Sequence, residues 1–275
     1  MNKQQPLQDL ELALLLEGIQ QYYGYDFRRY ASASVKRRID RFMEKEGRWQ
    51  HISELIPAIL YDRSLFVRFL EALSVVVTEM FRDPDFFLLL REKVIPVLKT
   101  YPFIKIWHAG CASGQEVYSM AILLEEEGLL DRCCIYATDI NDAALTTAVA
   151  GKYPTCDMPL YEKNYRAAGG KKSLQDYMPK RGSYRVMADF LSDKIVFSDH
   201  NLATDSSFGS MNLVMCRNVL IYFDEQLQAQ VVRLLVDSLD PLGVLCIGKQ
   251  ETVHICESFS RLAVMDVEQR LYQKK

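Results

Sequence analysis

The stretch "IWHAGCASGQEVYSMAILL", residues 106–124, constrains this chain more than any other. An apolar run of strand character ends in Gly110 and Gly114, with Cys111, Ala112 and Ser113 between them. It then passes at once into a helical pattern whose first turn carries Gln115 and Glu116. A strand that feeds a helix through so tight a turn belongs to an α/β sheet, in which ligands sit at the carboxyl ends of the strands. Two glycines would let a ligand approach the backbone closely. Their spacing is not that of a dinucleotide site, and a carboxylate in the first helical turn repels phosphate. A neutral or cationic ligand fits better. The next strand pattern ends in "ATDIN", which puts Asp139 25 positions after Gly114, where an acidic side chain accepts ribose hydroxyls. A ribose-bearing cation without phosphates describes S-adenosylmethionine. Taken singly, the turn is equally a plain connection and Asp139 equally a helix cap. Their order, at successive strand ends, favours the ligand.

The surrounding chain divides by texture. Over residues 1–99 the pattern is helical: "LELALLLEGIQQYYG" stops at Gly24, and "SASVKRRIDRFMEKEG" opens on Ser32 or Ser34 as a cap and stops at Gly47. Further helices are expected in "HISELIPAILYD", "RSLFVRFLEALS" and "DPDFFLLLREKVIPVL", the last capped by Asp83 with Pro84 in its first turn. Over residues 100–275, strands at 103–110, 133–140, 194–201, 211–218 and 243–250 alternate with helices at 115–128, 142–150 and 225–238. That alternation predicts a mainly parallel sheet. A polar, proline- and glycine-containing stretch over about 152–192 is too long for a simple loop and reads as an inserted subdomain.

Composition excludes several classes. With 49% hydrophobic and 25% charged residues the chain is globular, and no apolar run reaches the roughly 18 residues that span a bilayer. Asp9, Glu11 and Glu17 interrupt the segment where a signal peptide would be apolar, so a cytoplasmic protein that is not membrane-embedded is expected. Seven cysteines without a C-x-x-C pair support neither a disulfide framework nor a metal site.

Five segments in order, "TEMFRDPDFF", "HAGCASGQEVYSMAILL", "ATDIN", "FSDHNL" and "MCRNVLIYFD", resemble the successive motifs of the CheR family, the bacterial chemoreceptor glutamate O-methyltransferases. The resemblance implies a helical N-terminal domain followed by a Rossmann-type methyltransferase domain interrupted by a small β-subdomain. By motif position it implies that Thr78, Arg82, Gly110, Glu116 and Asp139 line the S-adenosylmethionine site. Asn201 and Leu202 would border the adenine, Arg217 and Asn218 would complete the pocket, and Tyr222 would stand near the transferred methyl. Arg82 and Tyr222 are the candidates for orienting the accepting carboxylate. Two departures are visible: Val76 stands where members often have asparagine, and Gln115, Glu116, Val117 replace the common Glu-Glu-Pro. "GKQET", at 248–252, stands where many have Gly-His-Ser-Glu, and Lys249 has no assigned role.

Net charge is only −3, so affinity for a charged partner must come from uneven distribution. "RRYASASVKRRIDRFMEK" gathers seven basic residues. Of these, Lys36, Arg37, Arg41 and Lys45 share a broad helical face while Val35, Ile39 and Phe42 face inward. Such a run is usually a solvated face; here it would also suit an acidic helical substrate, the cytoplasmic coiled coil of a chemoreceptor. Nucleic acid is disfavoured because the patch lacks interleaved aromatics. The short turn at Gly182 predicts methylation that needs no C-terminal receptor tether, since family members that bind one resemble each other in a longer glycine-containing loop there. The alternatives are an S-adenosylmethionine-binding signalling module without catalysis and a methyltransferase acting on another acidic protein, a small molecule or nucleic acid.

Overall fold

Apolar residues at helical spacing fold the first part of the chain into α1 (Gln5–Tyr23), α2 (Ser32–Glu46), α3 (Ile52–Tyr61) and α4 (Arg63–Leu73). The computed structural model describes residues 5–73, 78–254 and 256–275, and the chain splits into two compact units. The first is Met1–Val75 with Ile221–Gln230, and the second is Val76–Leu220 with Val231–Lys275.

In the first unit α1 buries Leu12, Leu15, Leu16 and Ile19, and ends before Gly24, whose φ of 81° is left-handed. α2 buries Val35, Arg38, Ile39, Phe42 and Met43 and ends at Gly47, whose N–H donates to the Met43 carbonyl. Neither serine caps α2. Ala31 occupies the N-cap without a side-chain hydrogen bond, because the helix starts at Ser32 itself. A segment from far along the chain completes the unit. The Ala31 N–H donates to the Tyr222 carbonyl at 2.8 Å, the Asp224 N–H to the Arg29 carbonyl at 2.8 Å, and the Tyr30 ring meets Phe223 edge-on.

The second unit opens with α5 (Pro84–Leu89), a π-helical turn (Leu90–Val94) and α6 (Ile95–Leu98). These helices were expected with the helical half. Instead Phe86, Phe87, Leu90, Val94, Ile95 and Leu98 share one core with Ile104, Ile106, Met120 and Leu124. Then follow β1 (Ile104–Ala109), α7 (Gln115–Glu126), β2 (Cys133–Asp139), α8 (Asp142–Ala150), β3 (Lys152–Pro154), α9 (Met158–Ala167) and α10 (Leu174–Tyr177). Next are β4 (Lys180–Arg181), β5 (Tyr184–Val186), α11 (Asp189–Ser192), β6 (Ile195–Asp199) and β7 (Met211–Cys216). The chain ends with α12 (Glu225–Asp237), β8 (Leu239–Ile247), β9 (Leu262–Asp266) and β10 (Leu271–Lys274). The division between units passes within α12.

Seven strands form one sheet in the order β6-β2-β1-β7-β8-β10-β9. The pairs β1·β2, β2·β6, β1·β7 and β7·β8 are parallel, and β10 is antiparallel to both β8 and β9. From β1 the chain first builds outward through β2 and β6, then returns to the other side with β7. Strand order therefore reverses between β1 and β7, where open α/β sheets form their ligand crevice. All six residues of β7 are buried, as befits a central parallel strand covered on both faces. The C-terminal pair β9–β10 was not anticipated from the sequence.

The insertion is a three-stranded antiparallel sheet, β3-β5-β4, with α9 and α10. Gly182, at φ 64°, and Ser183 make the connection between β4 and β5. Glu126 at the end of α7 anchors the insertion. Its fully buried carboxylate accepts from Arg91, from the Tyr165 and Tyr177 hydroxyls and from the Lys171 backbone. Removing one member of a buried charge pair costs about 3–5 kcal/mol. Glu126→Ala should lower the urea midpoint of the second unit accordingly, measured by far-ultraviolet circular dichroism, with little change in slope.

Candidate functional site

The turn after β1 is held in place by its neighbours. Gly110, Ala112 and Gly114 have φ of 79°, 48° and 89°, so three of five consecutive residues are left-handed. For Ala112 that conformation is strained. The Gly110 and Cys111 N–H groups donate to the Thr138 carbonyl, the Ala112 N–H to Asp139 Oδ2 at 2.7 Å, and the Tyr153 hydroxyl to the Ser113 carbonyl. A Cβ on Gly110 would lie 2.5 Å from Val219 Cγ2, and one on Gly114 would lie 2.9 Å from Ala148 Cβ. The sequence suggested glycines that admit a ligand. What comes close to them in the structure is the protein itself, across the β1–β7 switch and from α8.

A charged cluster lies beside this turn. Arg217, just past β7, has a side chain 1% exposed; its Nη1 donates to Glu116 Oε2 at 2.8 Å and its Nη2 to Asp83 Oδ2 at 2.6 Å. Its guanidinium also stacks 3.9 Å from the Phe86 ring centroid. Asp83 was expected to cap α5. It does stand at the N-cap, but at φ 57° and with no side-chain cap bond, because its carboxylate is engaged by Arg217. His108 Nδ1 is 3.3 Å from Glu116 Oε1. Asn218 is left-handed at φ 62°, and its N–H donates to Glu251 Oε2 at 3.0 Å. The same oxygen accepts the Gly248 N–H, and a Cβ on Gly248 would lie 2.7 Å from it. Glu251, 4% exposed, thus ties the residues after β7 to the end of β8.

The two carboxylates expected in the site titrate in opposite directions. Burial would raise the pKa of Glu116, but the Arg217 charge and the His108 hydrogen bond outweigh it and leave it below the ordinary value. Asp139 is raised, because burial outweighs the N–H groups of Ala112, Asn141 and Ile140. The alternative role of Asp139 as helix cap falls to Asn141, whose side chain accepts the Ala144 N–H.

Of the sequence candidates, Gly110, Asp139, Asn201, Leu202, Arg217 and Asn218 stand at the carboxyl ends of β1, β2, β6 and β7 or on the segments that follow, and Glu116 lies in the first turn of α7, which follows β1. Leu202 is buried, and the Asn201 side chain accepts the Ala203 N–H. Thr78 and Arg82 lie half-buried ahead of α5 in the same unit. Val76 lies outside the described residues. Tyr222 belongs to the first unit, where the Arg38 guanidinium sits 4.6 Å from its ring centroid. Asp83, His108 and Glu251 were missed. Only the acid in "GKQET", at the position of the family's Gly-His-Ser-Glu, offered a sequence signal for Glu251.

Comparisons with known proteins show the family. A family model described as the SAM binding domain of CheR methyltransferase matches residues 76–267, and one described as its all-alpha domain matches 10–74. The chain belongs to the CheR methyltransferase family. A Pseudomonas putida protein, Cher3, is 45% identical over 97% of each chain. A chemotaxis protein methyltransferase of Listeria innocua is 32% identical over 84% of this chain and 85% of its own. Chemotaxis protein methyltransferase 1 of Pseudomonas aeruginosa is 30% identical over 80% and 82%.

The fold is thus that of a Rossmann-type methyltransferase domain with a small inserted β-subdomain, preceded by helices, and its cofactor is S-adenosylmethionine. The residues fit that cation. Glu116, Asp83 and Asp139 outnumber Arg217 around the turn, which suits a sulfonium, and Arg217 Nε and Asn141 Nδ2, buried donors without a partner among the described residues, suit the amino-acid carboxylate of the same molecule. Were Asp139 to accept the two ribose hydroxyls, as the family resemblance implies, it would have to be ionised. Affinity for S-adenosylmethionine should therefore fall as pH drops, starting above the usual aspartate range of about 4, since the raised group protonates early. Asp139→Asn should weaken binding at neutral pH and flatten that acid limb, as calorimetric titrations would show. Glu116, held low, adds no step in that window.

Proposed function

We propose that the chain transfers the methyl group of S-adenosylmethionine to glutamate side chains of bacterial chemoreceptors, forming the methyl esters used in sensory adaptation. What carries this reading is the match of both CheR domains, in order, to a chain in which Glu116 and Asp83 pair with Arg217 beside the turns that follow the switch strands β1 and β7. Gly110, Glu116, Asp139, Asn201, Leu202, Arg217 and Asn218, with Thr78 and Arg82, would hold the cofactor, which supplies a methyl group on a positively charged sulfur. A glutamate side chain has a reference pKa of about 4.3, so it is ionised at neutral pH and needs no general base. The residues of the chain have two tasks, to aim one carboxylate oxygen and to exclude water. Positioning of this kind reaches effective molarities of about 10⁵ M. Arg82 and Tyr222 are proposed to orient that carboxylate, each on its place in the family's motifs.

The basic helix is the proposed receptor-facing element. Arg37, Arg41 and Lys45 are exposed on α2, and Lys36 lies 3.8 Å from Asp9. The structure narrows the patch: Arg38 is buried, Arg28 pairs with Glu17 and Asp26, and Arg29 lies against Asp224. Asp40 and Glu44 are exposed on the same helix, so it presents alternating charge with a basic excess rather than a uniform cationic face. An acidic helix carrying occasional basic residues complements that pattern better than a polyphosphate does. Such a substrate, the cytoplasmic part of a chemoreceptor, places the reaction in the cytoplasm. Among the described residues no helix is long and apolar enough to cross a membrane.

The direct test is transfer of radiolabelled methyl groups from S-adenosylmethionine into purified receptor cytoplasmic fragments, with base-labile release as methanol. Label appearing in RNA or a small molecule instead would sink the proposal. Arg37→Glu with Arg41→Glu should reduce receptor methylation about tenfold at low ionic strength, an effect that shrinks as salt screens beyond about 8 Å, while calorimetric affinity for the cofactor stays unchanged. Loss of both together would make α2 structural.

The insertion bears on the tether. Its edge strand β4 is two residues long, and the connection to β5 is only Gly182 and Ser183, a meagre edge for an added peptide strand. Deleting a receptor's last residues should leave its initial methylation rate within about twofold, whereas loss of a tether would cost about a hundredfold.

A further inference from the structure

His108 belongs to none of the roles above. It stands near the carboxyl end of β1 with 1% of its surface exposed. Its register partners on the neighbouring strands are Ala137 and Met215, both buried and apolar. Nδ1 lies 3.3 Å from Glu116 Oε1, whereas Nε2 is buried without a hydrogen-bond partner among the described residues. That asymmetry distinguishes the two neutral tautomers. An N–H at Nε2 would be a buried donor with no acceptor, which costs about 1–3 kcal/mol, and an imidazolium would add an unsatisfied charge-bearing donor. A neutral ring with its proton on Nδ1 leaves only a bare lone pair at Nε2 and gives Glu116 a donor.

Glu116 is then gripped twice, with Oε1 accepting from His108 on β1 and Oε2 accepting from Arg217 Nη1 at 2.8 Å just past β7. One donor restrains a single carboxylate oxygen and leaves the group free to turn about its Cγ–Cδ bond. Two donors from different parts of the chain set its plane. An ionised carboxylate has about four acceptor sites, so each oxygen still has capacity to face a ligand. The arrangement resembles the histidine–carboxylate supports of metal sites, where the supporting residue acts through the group it orients.

We propose that His108, as the neutral Nδ1–H tautomer, is a positioning residue that sets the plane of the Glu116 carboxylate toward the methyl donor. The inference deepens the cofactor-site reading and rests on Glu116 belonging to that site. It acts on cofactor binding and not on the methyl-accepting carboxylate, so it changes KM for S-adenosylmethionine and leaves kcat nearly untouched.

Two independent measurements test it. Nitrogen-15 NMR of the histidine-labelled full chain near neutral pH should show Nδ1 protonated and Nε2 bare. A proton on Nε2, or on both nitrogens, overturns the proposal whether or not any variant folds. His108→Leu keeps apolar bulk but removes the donor, whereas His108→Asn returns an N–H close to the former Nδ1. The leucine variant should raise Kd and KM for S-adenosylmethionine about tenfold with kcat on receptor fragments within about twofold, and asparagine should restore Kd to within about threefold of wild type. An unchanged Kd in the leucine variant, or equal losses in the leucine and asparagine variants, overturns the positioning role. Wild-type protein that binds no S-adenosylmethionine would overturn the cofactor-site reading on which the proposal stands, a result separate from the tautomer, which reports on His108 and Glu116 alone.

Discussion

Burial of the Arg217 guanidinium is the constraint around which the second unit's site is arranged. A charge 1% exposed is tolerable only with partners at hydrogen-bonding distance, and Arg217 has two, Glu116 and Asp83, with the Phe86 ring beneath its plane. Those partners come from the first turn of α7 and the N-cap of α5, while Arg217 itself follows β7. One planar fork therefore locates three elements against each other. The consequences spread along the chain: Asp83 gives up its capping bond, Asn218 takes a left-handed backbone, and Glu251 is buried to hold Asn218 there. Glu116 meanwhile stays ionised in a place where burial alone would favour its proton.

The parts of this arrangement that follow local rules were legible in the sequence. The strand–turn–helix of residues 104–126 was legible as a short apolar run that ends in a glycine turn and passes into a helical pattern, and Asp139 falls at the end of the next strand as its spacing implied. The inward set Val35, Ile39 and Phe42 followed from helical spacing and is buried. Partnerships across the fold leave no such period. Arg217 and Glu116 are 101 residues apart, and nothing near either one names the other, so only the family resemblance placed them in one site. Asp83 illustrates the cost: Asp-Pro is a sound local signal for a helix start, but a guanidinium from far along the chain competes for the carboxylate and wins. The helices over 84–98 show the same limit at larger scale, because helical character says nothing about which core the apolar face will join.

Charge is legible in kind but not in disposition. The basic cluster of residues 28–45 is evident from the sequence, yet the structure divides it into three populations: arginines paired within the unit, one arginine buried against Tyr222, and a remainder exposed among acids. Arg38 is the instructive member. Counting it toward a surface patch was natural for its type, but its place on the face of α2 that holds Val35, Ile39 and Phe42 sends it inward, where the Leu73 carbonyl accepts from it.

The first unit is not continuous in sequence, since Ile221–Gln230 is part of it and bonds directly to Arg29 and Ala31. During synthesis the four N-terminal helices leave the ribosome long before that segment exists. At about 5–20 residues per second, the roughly 150 residues between them take on the order of ten seconds to make. Until then Tyr30 lacks Phe223, Arg38 lacks the Tyr222 ring, and the backbone of residues 29–31 lacks its strand-like partner. The helices emerge first, yet the amino-terminal unit is completed only after most of the sheet-bearing unit has been translated, and the sheet itself closes last with β8, β9 and β10, so neither half of this chain is a freely exchangeable module.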